Sequence, residues 1–349
     1  MPVRNALPYL DAAIASLIGQ THADFELVVR DDRSTDGSRE RLRSWAKRDS
    51  RIRLHEGERC LGPAGSSNWV VEQARAPIVA RMDADDVAHP DRLRRQLALL
   101  SRRPDAVLVG SVWEGIDRKG RVVREPDLSA LQAHRFAAPF AHGSIMFRQE
   151  AFRRAGGYRA ACDFWEDLDL YLRMAELGRI LVIGEPLYRH RFSENSTRLA
   201  SRRTAVEQAV DFMFRCRQAH CRGEDYNALL QSKRAPDGDA RLHPHVFLSL
   251  AFITLWSGTR PVILGRLLKR GRLRPDRASA TALSWALWAA VSPGSLRFVT
   301  RRLLLRRNRK AMRALSPQAV VEWRTRRASP AASAGAAGTP ATGSPLEAK

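Results

Sequence analysis

Short apolar runs alternate with helix-patterned stretches through the first hundred residues, and this alternation limits the fold more than any other feature. Leu10, Ile14, Leu17 and Ile18 recur at helical spacing, Phe25-Glu26-Leu27-Val28-Val29 reads as a strand, and Gly37 to Lys47 reads as a helix. The strand Arg51 to His55 comes next, then a Gly-rich turn at Leu61-Gly62-Pro63-Ala64-Gly65, a helix to Ala74, and a buried strand from Pro77 to Met82. Strands separated by helices are too far apart in sequence to pair as hairpins, so they form a largely parallel sheet with helices on both faces. Ligands of such sheets sit at the C-terminal ends of the strands.

Acidic clusters fall at those ends. Asp31-Asp32 closes one run, and Asp83-Ala84-Asp85-Asp86 closes another, on a turn that leads to the helix start Pro90-Asp91-Arg92-Leu93. Carboxylates this close repel one another, so either water or a cation must meet them. Capping accounts for Asp36 in Ser34-Thr35-Asp36, and Asp86 or His89 is placed to cap the next helix. Two acid pairs at two strand ends are more carboxylates than capping requires. Beyond Ala106 the runs Val107 to Gly110, Val112 to Ile116 and Val122-Val123, with a polar turn at Asp117-Arg118-Lys119-Gly120, read as antiparallel structure added to the parallel half. A strand from Gly143 to Phe147 leads to Gly156-Gly157-Tyr158. A third acidic cluster, Asp163 to Asp169, then opens a helix ending near Leu177.

With 349 residues, 44% of them hydrophobic and 28% charged, the chain is long enough to bury a substantial core. Its net charge of +22 is unevenly placed: from Arg241 to Pro330 there are 19 Lys or Arg against Asp276 and Glu322, which leaves the rest of the chain nearly balanced. In that basic segment the apolar stretches Val246 to Trp256 and Thr281 to Val291 fall short of the roughly 18 residues a membrane span requires. Interleaved with Arg266, Lys269, Arg270, Arg272, Arg274 and the run Arg301 to Arg307, they read either as interfacial helices on an anionic membrane surface or as a small helical bundle with a basic rim. Nucleic acid is not expected as a partner, because the positive charge is interleaved with Leu and Trp and no nucleic-acid motif is present. Cys60, Cys162, Cys216 and Cys221 form no Cys-x-x-Cys pair and follow no secretory leader, so reduced thiols in a cytoplasmic setting are expected. Cys216, His220 and Cys221 are only three zinc-ligand candidates, and ordinary packing is the expectation for them.

Six motifs, Met1-Pro2-Val3-Arg4-Asn5, Gln20-Thr21 with Phe25 to Val29, Asp31 to Ser38, Met82 to Asp86, Gly156-Gly157-Tyr158 and Glu166-Asp167, occur in an order that resembles the family 2 glycosyltransferases. These are inverting nucleotide-sugar enzymes with the glycosyltransferase A fold. The resemblance implies an α/β, doubly wound mixed sheet, whose first strand would be truncated at Met1, with the natural start lying upstream. It implies that Asp32 meets the nucleobase and that Pro2 and Asn5 belong to the nucleotide-sugar site. Asp83 and Asp85 would hold a divalent cation, Mn2+ or Mg2+, on the diphosphate, and a hard cation of this kind does prefer carboxylate oxygens. Arg191 or His190 would lie beside the diphosphate, with His190 also a metal candidate. Asp167 would take the proton of the acceptor hydroxyl, and Asp163, Trp165 and Glu166 would flank the acceptor, Trp165 either stacking on a sugar or packing in the core.

The expected partners are a UDP- or dTDP-sugar and a saccharide or lipid-linked acceptor, in cell-surface polysaccharide or glycolipid synthesis at the inner face of the cell membrane. The expected division is a catalytic domain over 1–215, a helical basic segment over 216–327 and a disordered Ala, Ser, Gly and Pro-rich tail over 328–349. The alternative is a catalytically inactive binding or scaffold protein on the same fold.

Overall fold

The computed structural model of the chain describes residues 1–124, 126, 140–162, 165–192, 216, 219, 220, 223–231 and 320–323. Asp163, most of the basic segment and the tail lie outside these residues, as do the expectations placed on them. Among the described residues no helix is long and apolar enough to cross a membrane.

The first half follows the alternation read from the sequence: β1 (Pro2–Val3), α1 (Leu10–Ile18), β2 (Leu27–Asp31), α2 (Ser38–Arg48), β3 (Ile52–Glu56), α3 (Gly62–Glu72), β4 (Ile78–Ala80), β5 (Val87–Ala88) and α4 (Arg92–Arg102). Strands β1, β2 and β3 form a parallel sheet of three, with Leu27 to Asp31 buried throughout, as a strand covered on both faces must be. Pro2 fits its strand because the ladder bonds run through its neighbours. The Met1 nitrogen donates to Val28 O, Met1 O accepts from Arg30 N, and Val3 O accepts from Asp32 N.

The second sheet is mixed, with order β10-β9-β6-β8-β4. Its spine is β6 (Ala106–Ile116) paired in parallel with β9 (Arg179–Arg191). The two strands expected at Val107 and Val112 are one strand, and the irregularity that separated them in the sequence appears as register shifts at Ala106/Leu108 and around Val112. β7 (Val122–Arg124) adds to the β6 edge, and β8 (Met146–Arg148) lies antiparallel between β6 and β4. The expected strand start at Gly143 is instead a 3-10 turn, His142–Ser144, closed by Ser144 N and Oγ on Ala141 O.

Apolar residues recur at helical spacing in α1, where Leu10, Ala13, Ile14 and Leu17 are buried against Val3, Val29, Met82 and Ala84, so the two sheets share one core. The Gly-rich stretch expected as a turn is the first turn of α3. Pro63 suits a position whose N–H has no helical partner, and the Asp32 carboxylate accepts from Leu61 N and Gly62 N in place of a local cap.

Strand β10 (Val320–Glu322) comes from the stretch that charge assigned to the basic segment, yet it pairs antiparallel with β9, Val321 opposite Val182. Cys216, Ala219 and Tyr226 likewise pack with Cys162 and Trp165. The described residues on both flanks of the basic segment thus pack on the sheets and helices of the first 192 residues.

Candidate active site

The crevice lies where β2, β4 and β9 end. Between Arg81 and Ala88 burial alternates: Met82, Ala84, Asp86 and Ala88 are buried, whereas Asp83 and Asp85 are half-buried and face the same way. The turn thus divides the three acids. Asp86 turns inward, 0% exposed, and its carboxylate accepts from Tyr188 OH (2.8 Å), Arg191 N (2.7 Å) and His190 Nδ1 (3.1 Å). It fastens the turn to β9 and caps nothing. Arg191 reinforces the fastening: its Nε donates to Asp85 O, its Nη1 to Asp117 O, and its guanidinium lies 4.5 Å from the Tyr9 ring. The guanidinium of this candidate diphosphate ligand is committed to backbone carbonyls.

From below, the turn is held by α4. Arg92, fully buried, donates to Arg81 O (2.6 Å), Ile145 O (3.2 Å) and Gln96 Oε1 (3.0 Å), and Gln96 reaches Ser144 O and Val109 O. Gly143 completes the floor, because a side chain there would overlap Tyr188 Oη and crowd Asp83 Oδ2.

Electrostatics separates the two outward acids. Burial works against ionisation of Asp83, but Arg81, whose Nη1 pairs with Asp83 Oδ2, and His142 outweigh it and hold the carboxyl at about 2. Burial, Asp86 and Asp83 together push Asp85 up to about 7. His190 is raised above the ordinary histidine value, burial being outweighed by Asp86. The turn thus keeps the Asp83 carboxyl ionised and makes ionisation of Asp85 costly. Among the described residues no three His, Cys, Asp or Glu side chains form a ready-made metal cluster.

Asp167 stands in the first turn of the helix Glu166–Ala175, where its Oδ1 accepts from Leu168 N at 2.7 Å. Burial raises the hydroxyls of Tyr158 and Tyr171, and the charges of Asp167 and Asp83 add to the shift. His142 Nε2 sits 2.8 Å from Tyr158 OH. Glu166 is half-buried beside Asp167. Trp165 is 3% exposed and packs with Cys162, Cys216, Ala219 and Tyr226, so of its two expected roles the described residues support packing. Asp169, passed over in the sequence, is buried and anchors the helix through Arg173 Nε at 3.1 Å and Tyr226 OH at 2.9 Å.

Asp32 and Asn5 stand at the β2 end. Asp32 is 3% exposed, and the N–H groups of Leu61 and Gly62 with the Cys60 thiol hold its carboxyl below the ordinary value despite burial. Asp31 is fully buried and paired with Arg39 at 2.8 Å. Asn5, with a left-handed φ of 51°, accepts from Thr35 N at 2.8 Å and donates its N–H to Ser34 Oγ. The N-cap position of α2 is Gly37, so Asp36, one residue before it, is not the cap; its carboxylate accepts from Ser38 N and Leu7 N and braces the helix start. The Asp31 to Ser38 motif is thus a zipper between two loops.

The family model for glycosyl transferase family 2 matches residues 1–159. EpsE of Bacillus subtilis, a protein assigned as a glycosyltransferase, is 31% identical over 237 residues, covering 65% of this chain and 84% of the relative. The O-antigen biosynthesis glycosyltransferase WbnJ of Escherichia coli is 29% identical over 180 residues, 50% of this chain and 69% of the relative. Among solved structures, TarS of S. aureus in complex with UDP-GlcNAc is 16% identical with a TM-score of 0.49, covering 83% of this chain and 80% of that one. The fold and site define a nucleotide-sugar-dependent transferase of the inverting kind. The chain belongs to glycosyl transferase family 2.

Proposed function

We propose that this glycosyltransferase uses the crevice between the Asp83 turn and the Asp167 helix to join a sugar from a UDP- or dTDP-linked donor to a hydroxyl of a saccharide or lipid-linked acceptor. The observation that carries the reading is the acidic turn after β4, tied to β9 through Asp86 with Asp83 and Asp85 left half-buried.

Asp167 accepts the proton of the attacking hydroxyl, a role that requires an ionised carboxylate within hydrogen-bond reach. The hydroxyl oxygen approaches the anomeric carbon from the face opposite the nucleotide, which gives inversion. Glu166 would flank the acceptor, and the same role is proposed for Asp163 from its place in the sequence. Asp83 and Asp85 would hold a divalent cation, with His190 as a third candidate; the cation supplies positive charge against the leaving diphosphate. Two observations fit this ion. Burial, Asp86 and Asp83 push Asp85 up, and Asp86 engages His190 Nδ1, which leaves Nε2 as that ring's remaining nitrogen. Two carboxylates suffice when substrate phosphates complete the shell.

Pro2 and Asn5 shape the nucleotide cleft, and Arg191 acts in it by holding Asp85 in place. Asp32 recognises the base, whose N–H would replace the Cys60 thiol on Oδ2, now at 3.2 Å. Synthesis of a surface polysaccharide, at the cytoplasmic face of the membrane with the basic segment on anionic lipid, is part of the same proposal, and WbnJ's role in O-antigen biosynthesis supports it.

The test is nucleotide release from UDP-, dTDP- and GDP-sugars with Mn2+, with Mg2+ and with EDTA, because slow donor hydrolysis needs no known acceptor. Release of one nucleotide only, abolished by EDTA, is expected. Release unaffected by EDTA would remove the cation from the proposal, and no release from any donor would favour an inactive scaffold.

A further inference from the structure

The acidic turn carries a cation of its own. Arg81 follows β4 directly, and its Nη1 pairs with Asp83 Oδ2. The side chain is 12% exposed, and among the described residues its Nε is buried without a hydrogen-bond partner. Its backbone is fixed on both sides, Arg81 N donating to Ile145 O at 2.9 Å and Arg81 O accepting from Arg92. Only the side chain can change partners. Tyr188, which is buried, accepts from Asp83 N at 3.3 Å, so the ion pair is backed by the core. Asp85, two residues on, forms no ion pair among the described residues, so the turn is half neutralised.

We propose that Arg81 is an exchange partner for the donor diphosphate. In the free enzyme it neutralises Asp83, and when the donor arrives with its cation the guanidinium passes from Asp83 to a diphosphate oxygen. The inference rests on the cation reading above. Its physical basis is that a buried guanidinium displaced from its carboxylate, with Nε already unsatisfied, requires a new acceptor, and phosphate oxygens match its fork of donors. One positive charge then acts in two directions. It opposes binding of the bare cation and favours binding of the anionic nucleotide.

A purely structural arginine would not produce that pair of opposite effects, so Arg81→Gln tests the proposal. Mn2+ binding to the full chain is measured by titration calorimetry or by the loss of the free-ion resonance signal, and UDP binding is measured at saturating Mn2+. The expected result is Mn2+ held about tenfold more tightly and UDP about tenfold more weakly, magnitudes ordinary for a single coupled site. Unchanged affinities, or both ligands weakened together, would overturn the proposal. Equal Mn2+ affinity in wild type and variant would overturn the role of Arg81 alone, and the cation reading would stand. Absence of Mn2+ binding in both, with or without UDP, would overturn the cation reading and this inference with it. Arg81→Met, which fills the same space without a hydrogen-bonding group, repeats the test if the glutamine variant fails to fold.

Discussion

Asp86 differs from Asp83 and Asp85 only in the direction its side chain takes, and that direction decides its role. It is the shared acceptor of Tyr188, His190 and Arg191, all on β9 and more than one hundred residues away in sequence. Asp86→Ala leaves those three donors without their acceptor, and a loss of about 3–5 kcal/mol is expected for breaking a buried charged cluster of this kind. Denaturant unfolding of the variant measures it, and a loss under about 1 kcal/mol would show that the cluster is not the anchor described. The acidic tetrapeptide was legible as a group in the sequence. Which member points inward was not, because the alternation is set by pairing of Val87 with Arg189 across the fold. Asp169 escaped, and Trp165 stayed undecided between its two roles, for the same reason: their partners, Tyr226 and Cys216, come from a distant stretch.

At the scale of elements, the helix Glu166–Ala175 matters because it carries Asp167 at one end and Tyr171 within the core. Behind Tyr171, at 6.4 Å between rings, stands Trp323, 7% exposed, which also meets Phe140 at 6.1 Å. Trp323 follows β10 and donates its N–H to Ile180 O at 2.9 Å, so the last strand is closed by an aromatic plug. Trp323→Ala is expected to cost about 3–5 kcal/mol, the usual range for emptying a buried Trp site. A shift in the denaturation midpoint at constant slope reads it, whereas an unchanged midpoint would mean that β10 is not part of the cooperative unit. Helices and strands of the first half were legible because each has its own period and its own punctuation. Strand β10 was not, because Val320-Val321-Glu322 is too short for a pattern and takes its conformation from the β9 edge. The β6 spine was read as two pieces because its middle, Gly110-Ser111, lacks the branched residues that mark a strand.

Over the whole molecule the alternation of strands and helices, the placing of acids at strand ends and the charge asymmetry were all readable, since each is a property of long stretches. The pairing of Val320 to Glu322 with β9 was not, because charge composition reports the solvent a segment meets and not the sheet on which it ends. The ion pairs spread across the first half also fix how the molecule responds to acid. Asp11 is held low chiefly by Arg41 and Asp49 chiefly by Arg51; Glu26 and Asp36 are held low against burial by Arg75 N with Arg53 and by Ser38 respectively. Each carboxyl has a folded value below its unfolded one, so the stability it contributes is complete above the ordinary values of 3.8 and 4.5 and is lost as pH falls through the lowered ones. Thermal unfolding followed from pH 6 to pH 3 is expected to show a midpoint that holds and then drops as pH passes below about 4. A flat midpoint over that range would contradict these pairings. The central claim, that Asp167 is the base of an inverting transferase with its donor held by other residues, is tested most directly by Asp167→Asn, with UDP affinity and donor turnover measured on the same preparation. The account predicts unchanged UDP affinity and turnover lower by about 10²–10⁴-fold. Turnover near the wild-type rate would contradict it.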